Sequence, residues 1–186
     1  HVEWLERKTK NSKVYSVDNH PLKYSYGVLL SAAKNLNYLI SIKKPHAFIT
    51  SYKKFRFPNK PLTDRHIIDL CQTYNTSYSR WKSLYLENKK TSLIVPHETV
   101  LHDYSHVLHN IEVFFKLDKL SNRYSNETQP VKASTDHGLL IDRGKIFNTD
   151  YYIKQEYLKE LNTSQIKLID SSIDNNLVDW FYNTGL

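Results

Sequence analysis

The strongest constraint on the fold is an alternation. Three short runs rich in apolar and β-branched residues, Val14–Val17, Tyr38–Ile42 and Ser92–Val95, are separated by stretches whose apolar residues recur at helical spacing. Runs of this kind read as buried strands. Between the first two, Tyr24–Lys34 predicts a short helix through Val28, Leu29, Ala32 and Ala33. After the second, Pro45 suits the first turn of a helix through Ala47, Phe48, Ser51 and Tyr52, because the first turn leaves its N–H groups unused. Asp64–Asn88 carries Ile67, Ile68, Leu70, Cys71, Tyr74, Tyr78, Trp81 and Leu84 on a helical period, and Val100–Leu117 gathers Leu101, Tyr104, Val107, Leu108, Ile111, Phe114 and Phe115 on one apolar face. Strands alternating with helices imply parallel pairing and a layered α/β sheet. Later in the chain, Ser121–Asp136 reads as polar loop, and Asp150–Leu161 and Ser164–Phe181 as helices, the second capped by Thr163 or Ser164.

Open α/β sheets bind ligands beyond the carboxyl ends of their strands, so the residues after each run matter most. They are Asp18-Asn19-His20-Pro21, Lys43-Lys44-Pro45 and Pro96-His97-Glu98. A histidine, two lysines and a His/Glu pair are expected to meet on one edge. With only four glycines and no linker, residues 1–186 are expected to form one domain. No apolar run approaches the ~20 residues of a membrane span, and neither a signal nor a transit peptide is visible, so a soluble, cytoplasmic protein is expected. Cys71 is the sole cysteine and forms no internal disulfide. The net charge of +7 favours phosphorylated or polyanionic partners. Nucleic acid is one candidate, and a basic nucleic-acid-binding protein stays an alternative on net charge alone, although the bases are dispersed rather than clustered and a small phosphorylated ligand fits equally well.

Lys43-Lys44-Pro45-His46-Ala47-Phe48-Ile49-Thr50-Ser51-Tyr52 is the most informative stretch. A cation at a strand end and a hydroxyl two turns into the next helix can clamp a phosphate near that helix's N-terminus. The stretch resembles the 3'-phosphate site of sulfotransferases, in which a strand ends in Arg-Asn-Pro or Lys-Asn-Pro and a serine follows the cation by eight positions. Lys43 and Ser51 match those two places. Ser92-Leu-Ile-Val-Pro-His-Glu-Thr-Val-Leu101 is similar to that family's strand and Arg-Tyr-Glu-Asp turn, with Pro96 and His97 in place of Arg-Tyr and Glu98 retained. Phe147-Asn-Thr-Asp-Tyr-Tyr152, Tyr157-Leu158 and Ile166–Leu177 resemble the tail of bacterial and viral members. Arg143-Gly144 corresponds to the family's Arg/Lys-Gly phosphate loop.

The resemblance implies a three-layer parallel sheet flanked by helices, the P-loop NTPase-like core of a sulfotransferase. It implies transfer of a sulfuryl group from 3'-phosphoadenosine 5'-phosphosulfate to a hydroxyl or amine of a small-molecule or glycan acceptor, with no metal. Lys43, Ser51 and Arg143-Gly144 would hold the 3'-phosphate, His97 would lie near the adenine, and His20 would be the general base, as suits a group of unperturbed pKa ~6.5. The family's N-terminal Gly-rich loop has no counterpart before His20. That leaves three expectations: a chain lacking its beginning, incomplete hold on the donor, or a catalytically silent binding module. His102, His106 and His109 share the helical face opposite the apolar stripe and read as solvated rather than metal-binding. The many tyrosines, Tyr74, Tyr78, Tyr104 and Tyr157 among them, read as core packing.

Overall fold

A computed structural model describes residues 37–56, 60–117, 133–134, 140–141 and 149–186. The described chain is mixed α/β and mostly helical. Its elements are β1 (Tyr38–Ile42), α1 (Pro45–Arg56), α2 (Asp64–Glu87), β2 (Ser92–Pro96), α3 (His97–His102), α4 (Tyr104–Phe115), β3 (Ala133–Ser134), β4 (Leu140–Ile141), α5 (Thr149–Ile153), a 3-10 turn (Glu156–Glu160), α6 (Thr163–Ser172) and α7 (Asn175–Thr184). β1 and β2 pair in parallel, from Tyr38 opposite Ser92 to Ile42 opposite Pro96. β3 and β4 pair antiparallel, so the polar loop expected over Ser121–Asp136 has a strand at Ala133–Ser134. The expected strand Val14–Val17 and helix Tyr24–Lys34 lie outside the described residues.

Helices form at both expected places, α1 over Pro45–Arg56 and α2 over Asp64–Glu87. Pro45 opens α1, and the Phe48 amide donates to the Lys44 carbonyl at 2.9 Å. Thr63 and His66 form a reciprocal capping box at the start of α2. The buried stripe of α2 runs Ile67, Leu70, Cys71, Tyr74, Ser77, Tyr78, Leu84.

β2 is buried along its whole length and divides the core. Ile94 joins Ile40, Ile42, Ile49 and the buried faces of α2, α6 and α7 in the larger cluster. Leu93 and Val95, alternating with it, pack with Val107 of α4 in a smaller cluster bordered by Val100, Ile111 and Phe115. Gly185 fits beside this strand because a Cβ there would lie 2.9 Å from Pro96 Cδ, and the Leu186 amide donates to the Ile94 carbonyl at 3.1 Å.

Three expected continuities break, at Asp103, Ile173 and Gln155. The helix expected over Val100–Leu117 is two helices, because Asp103 leaves helical geometry and its carboxylate accepts the His106 amide at 2.9 Å as the cap of α4. His102 therefore lies on a different helix from His106 and His109, although all three are exposed. The helix expected over Ser164–Phe181 likewise breaks at Ile173, and Asp174 caps α7. Its first half is capped by Asn162, in a capping box with Gln165, rather than by Thr163 or Ser164. Asp150–Leu161 divides into α5 and the 3-10 turn at Gln155, whose φ is +53°. Of the tyrosines read as core, Tyr74, Tyr78 and Tyr157 are buried, whereas Tyr104, the first residue of α4, is 39% exposed.

Candidate functional site at the strand ends

The in-register pairing dictates where the site forms. Ile42 is opposite Pro96, so the next residue of each strand, Lys43 and His97, leaves the sheet side by side. Ser51, two turns along α1, meets Lys43: the ammonium donates to Ser51 Oγ at 3.4 Å. Tyr152 of α5 joins all three. Its hydroxyl lies 3.3 Å from Ser51 Oγ, its ring sits under the Lys43 ammonium at 4.7 Å, and it meets the His97 ring edge to face at 5.0 Å. Lys43, Ser51 and His97 line an open cleft of about 390 Å³ together with Ser41, Phe48, Tyr52 and Tyr78. That volume lies within the range of small-ligand sites.

Three helices hold the main chain beneath the cleft. From α2, Tyr74 donates to the Lys43 carbonyl at 2.8 Å and Tyr78 to the Ser41 carbonyl at 3.4 Å. From α3, the half-buried Glu98 accepts the Lys44 amide at 3.4 Å, and its other oxygen accepts the Tyr182 hydroxyl of α7 at 2.6 Å. Burial pushes the Tyr78 phenol up to about 12 and those of Tyr74 and Tyr182 further, Tyr182 also because it donates to the Glu98 carboxylate. All three therefore remain protonated donors at any ordinary pH. A second polar knot pins α5 to α1: Lys54 meets Glu160 at 2.6 Å and the Tyr151 hydroxyl at 2.9 Å, and Tyr151 donates to Glu160.

Burial, and secondly the neighbouring Lys43 charge, hold the His97 imidazole down at about 4, with Glu98 opposing. A histidine that binds its proton less readily folded than unfolded contributes stability that is intact above the unfolded value of ~6.5 and is lost as pH falls through the folded value. Stability is therefore expected to decline between about pH 6.5 and 4. His46, lowered by burial against the opposing charge of Asp170, acts in the same direction. Urea melts at pH 7 and pH 5 check this: His97→Gln should show a smaller drop between the two than the wild type, and an unchanged drop would count against the assignment.

Of the residues expected at the site, Lys43, Ser51 and His97 come together, while His20, Arg143 and Gly144 lie outside the described residues. Sequence reasoning missed Tyr152, Tyr74 and Tyr182. Tyr74 and Tyr78 are one helical turn apart and were legible as a buried pair, but nothing local marks their hydroxyls as aimed at a strand end. Among the described residues, no three His, Cys, Asp or Glu side chains are grouped to hold a metal ion, and no helix is long and apolar enough to cross a membrane. The chain matches no protein-family model, no curated protein and no solved structure among those compared.

Proposed function

We propose that this chain is the nucleotide-binding core of a sulfuryl transferase, taking 3'-phosphoadenosine 5'-phosphosulfate as donor and a hydroxyl or amine of a small molecule or glycan as acceptor. One observation carries the reading: the Lys43 ammonium and the Ser51 hydroxyl, matched to the family's phosphate site on sequence, are 3.4 Å apart at the mouth of the cleft. The donor set suits a phosphate. The described lining supplies an ammonium, serine hydroxyls and aromatic faces and contains no carboxylate, and Glu98 is engaged by Tyr182 and the Lys44 amide. In this reading β1 and β2 belong to a larger three-layer parallel sheet, with Val14–Val17 as a further strand.

The donor, when bound, supplies the sulfuryl group; everything else falls to the chain. Lys43 and Ser51 bind the 3'-phosphate by charge and by hydrogen bonding, joined by Arg143-Gly144. The imidazole of His97, kept neutral near pH 7 by burial, offers a hydrogen bond beside the base without adding charge. His20 takes the proton of the acceptor. Sulfuryl transfer relies on in-line positioning and on cations near developing charge, which such an arrangement serves.

Calorimetry with 3'-phosphoadenosine 5'-phosphate tests the site. Lys43→Ala removes a charged hydrogen-bond donor worth ~1.5–3 kcal/mol, so affinity is expected to fall ~10- to 100-fold. Equal heats for the two proteins would reject it. A binding module without transfer is the second reading, favoured by the Pro96-His97 departure from the family's turn. An assay for sulfuryl transfer separates the two, since the module binds the nucleotide and transfers nothing.

A further inference from the structure

Ser51 carries a hydroxyl that both Lys43 and Tyr152 reach. A serine oxygen has two lone pairs and a single proton to give. The Lys43 ammonium has only protons to offer, so it fills one lone pair. The contact with Tyr152 can run either way, but the phenol is a better hydrogen-bond acid than an aliphatic hydroxyl. When Tyr152 donates, both lone pairs of Ser51 are occupied. Its proton then has one use left, donation to a group outside this trio, and the cleft that Ser51 lines is where such a group would sit.

We infer that Tyr152 is a positioning residue that turns Ser51 into an obligate donor toward the cleft, and so selects a ligand group able only to accept, such as a phosphate dianion. The inference rests on the phosphate reading above. Two features place Tyr152 for this task. Its ring is held between the Lys43 ammonium and the edge of His97. Its neighbour Tyr151 is anchored to α1 through Lys54 and Glu160. Lys54 belongs to α1, the helix that carries Ser51, so this anchor ties the element bearing the phenol to the one bearing the serine. Tyr152 itself is not among the residues lining the cleft, which is why it acts through Ser51 rather than on the ligand.

The experiment compares two ligands, 3'-phosphoadenosine 5'-phosphate and adenosine 5'-monophosphate, which lacks the 3'-phosphate. Binding is measured for the wild type, Tyr152→Phe, Ser51→Ala and the double variant, with Lys43→Ala as reference and Tyr151→Phe as a matched loss of hydroxyl. Tyr152→Phe keeps the ring and its contacts. It is expected to weaken the bisphosphate ~3- to 10-fold, the scale of one neutral hydrogen bond, to leave the monophosphate unchanged, and to have no further effect once Ser51 is alanine. Tyr151→Phe should shift the melting temperature without altering the ratio of the two affinities.

Equal weakening of both ligands, or the same loss in the Ser51→Ala background, would overturn the inference, because the hydroxyl would then be acting on the fold and not on Ser51. No effect of Tyr152→Phe while Lys43→Ala still weakens the bisphosphate would also overturn it and leave the phosphate site standing. No effect of Lys43→Ala would remove the phosphate reading itself.

Discussion

Phe181→Ala is expected to lower the stability of the fold by ~3–5 kcal/mol, the range for deleting a wholly buried aromatic side chain. Phe181 is 0% exposed and sits where α7 meets the sheet. Its ring stands edge-on to Tyr78 at 5.5 Å and to Trp180 at 4.9 Å. Truncation forfeits the transfer energy of the ring, opens a cavity that Ile40, Ile94 and Leu177 cannot fill without moving, and removes both aromatic contacts, each worth ~0.5–1.5 kcal/mol beyond buried area. At ~2–4 °C per kcal/mol for a domain of this length, the melting temperature should fall by roughly 6–20 °C. Thermal and urea unfolding provide the check. A loss below ~1 kcal/mol would mean that α7 is not docked against β2 as described.

Tyr74→Ala is expected to cost as much, and Tyr74→Phe shows why the residue matters to the site as well as to the core. Tyr74 is fully buried between Phe48, edge-on at 5.3 Å, and Tyr78, tilted at 4.4 Å. Alanine leaves a cavity worth ~3–5 kcal/mol. Phenylalanine keeps the ring and removes only the donor to the Lys43 carbonyl, at ~1–3 kcal/mol for an orphaned buried acceptor. The main chain of Lys43 loses its shortest tie to α2, so affinity for 3'-phosphoadenosine 5'-phosphate should fall along with stability. A Tyr74→Phe protein that melts and binds like the wild type would show that the hydroxyl does not brace the strand end.

Much of the scaffold was legible because its signals are local. Pro45 suits the first turn of a helix, α2 keeps its apolar residues on one helical period, and the apolar, β-branched runs Tyr38–Ile42 and Ser92–Val95 read as buried strands. The breaks at Asp103 and Ile173 were not legible. In both places the apolar period continues across the gap, and periodicity alone does not separate one helix from two in line. An aspartate capping the second helix decides the matter, and whether it caps or simply faces water depends on how each half packs.

The site divides along the same line. Lys43 and His97 were readable as neighbours, since parallel strands send their following residues to one rim, and the eight-residue spacing brought Ser51 near Lys43. Tyr152 carries no local signal beyond its place in Phe147-Asn-Thr-Asp-Tyr-Tyr152, and Asn75 carries none. In the structure its carboxamide ties α2 to the α6–α7 junction by giving to the Ser172 carbonyl and accepting the Asp174 amide. Such pairings span about a hundred residues of chain, and no local propensity encodes them.

What the chain's order of residues settled by itself is therefore where the helical stretches of α1 and α2 lie and the parallel strand pair that aligns Lys43 with His97, because these follow from periodicity and the stereochemistry of strand–helix–strand connections. What only tertiary structure decided is which hydroxyls reach the strand ends. Tyr74, Tyr152 and Tyr182 arrive from three helices packed around one rim, and burial makes each find a partner, since a polar atom removed from water without one costs a few kcal/mol.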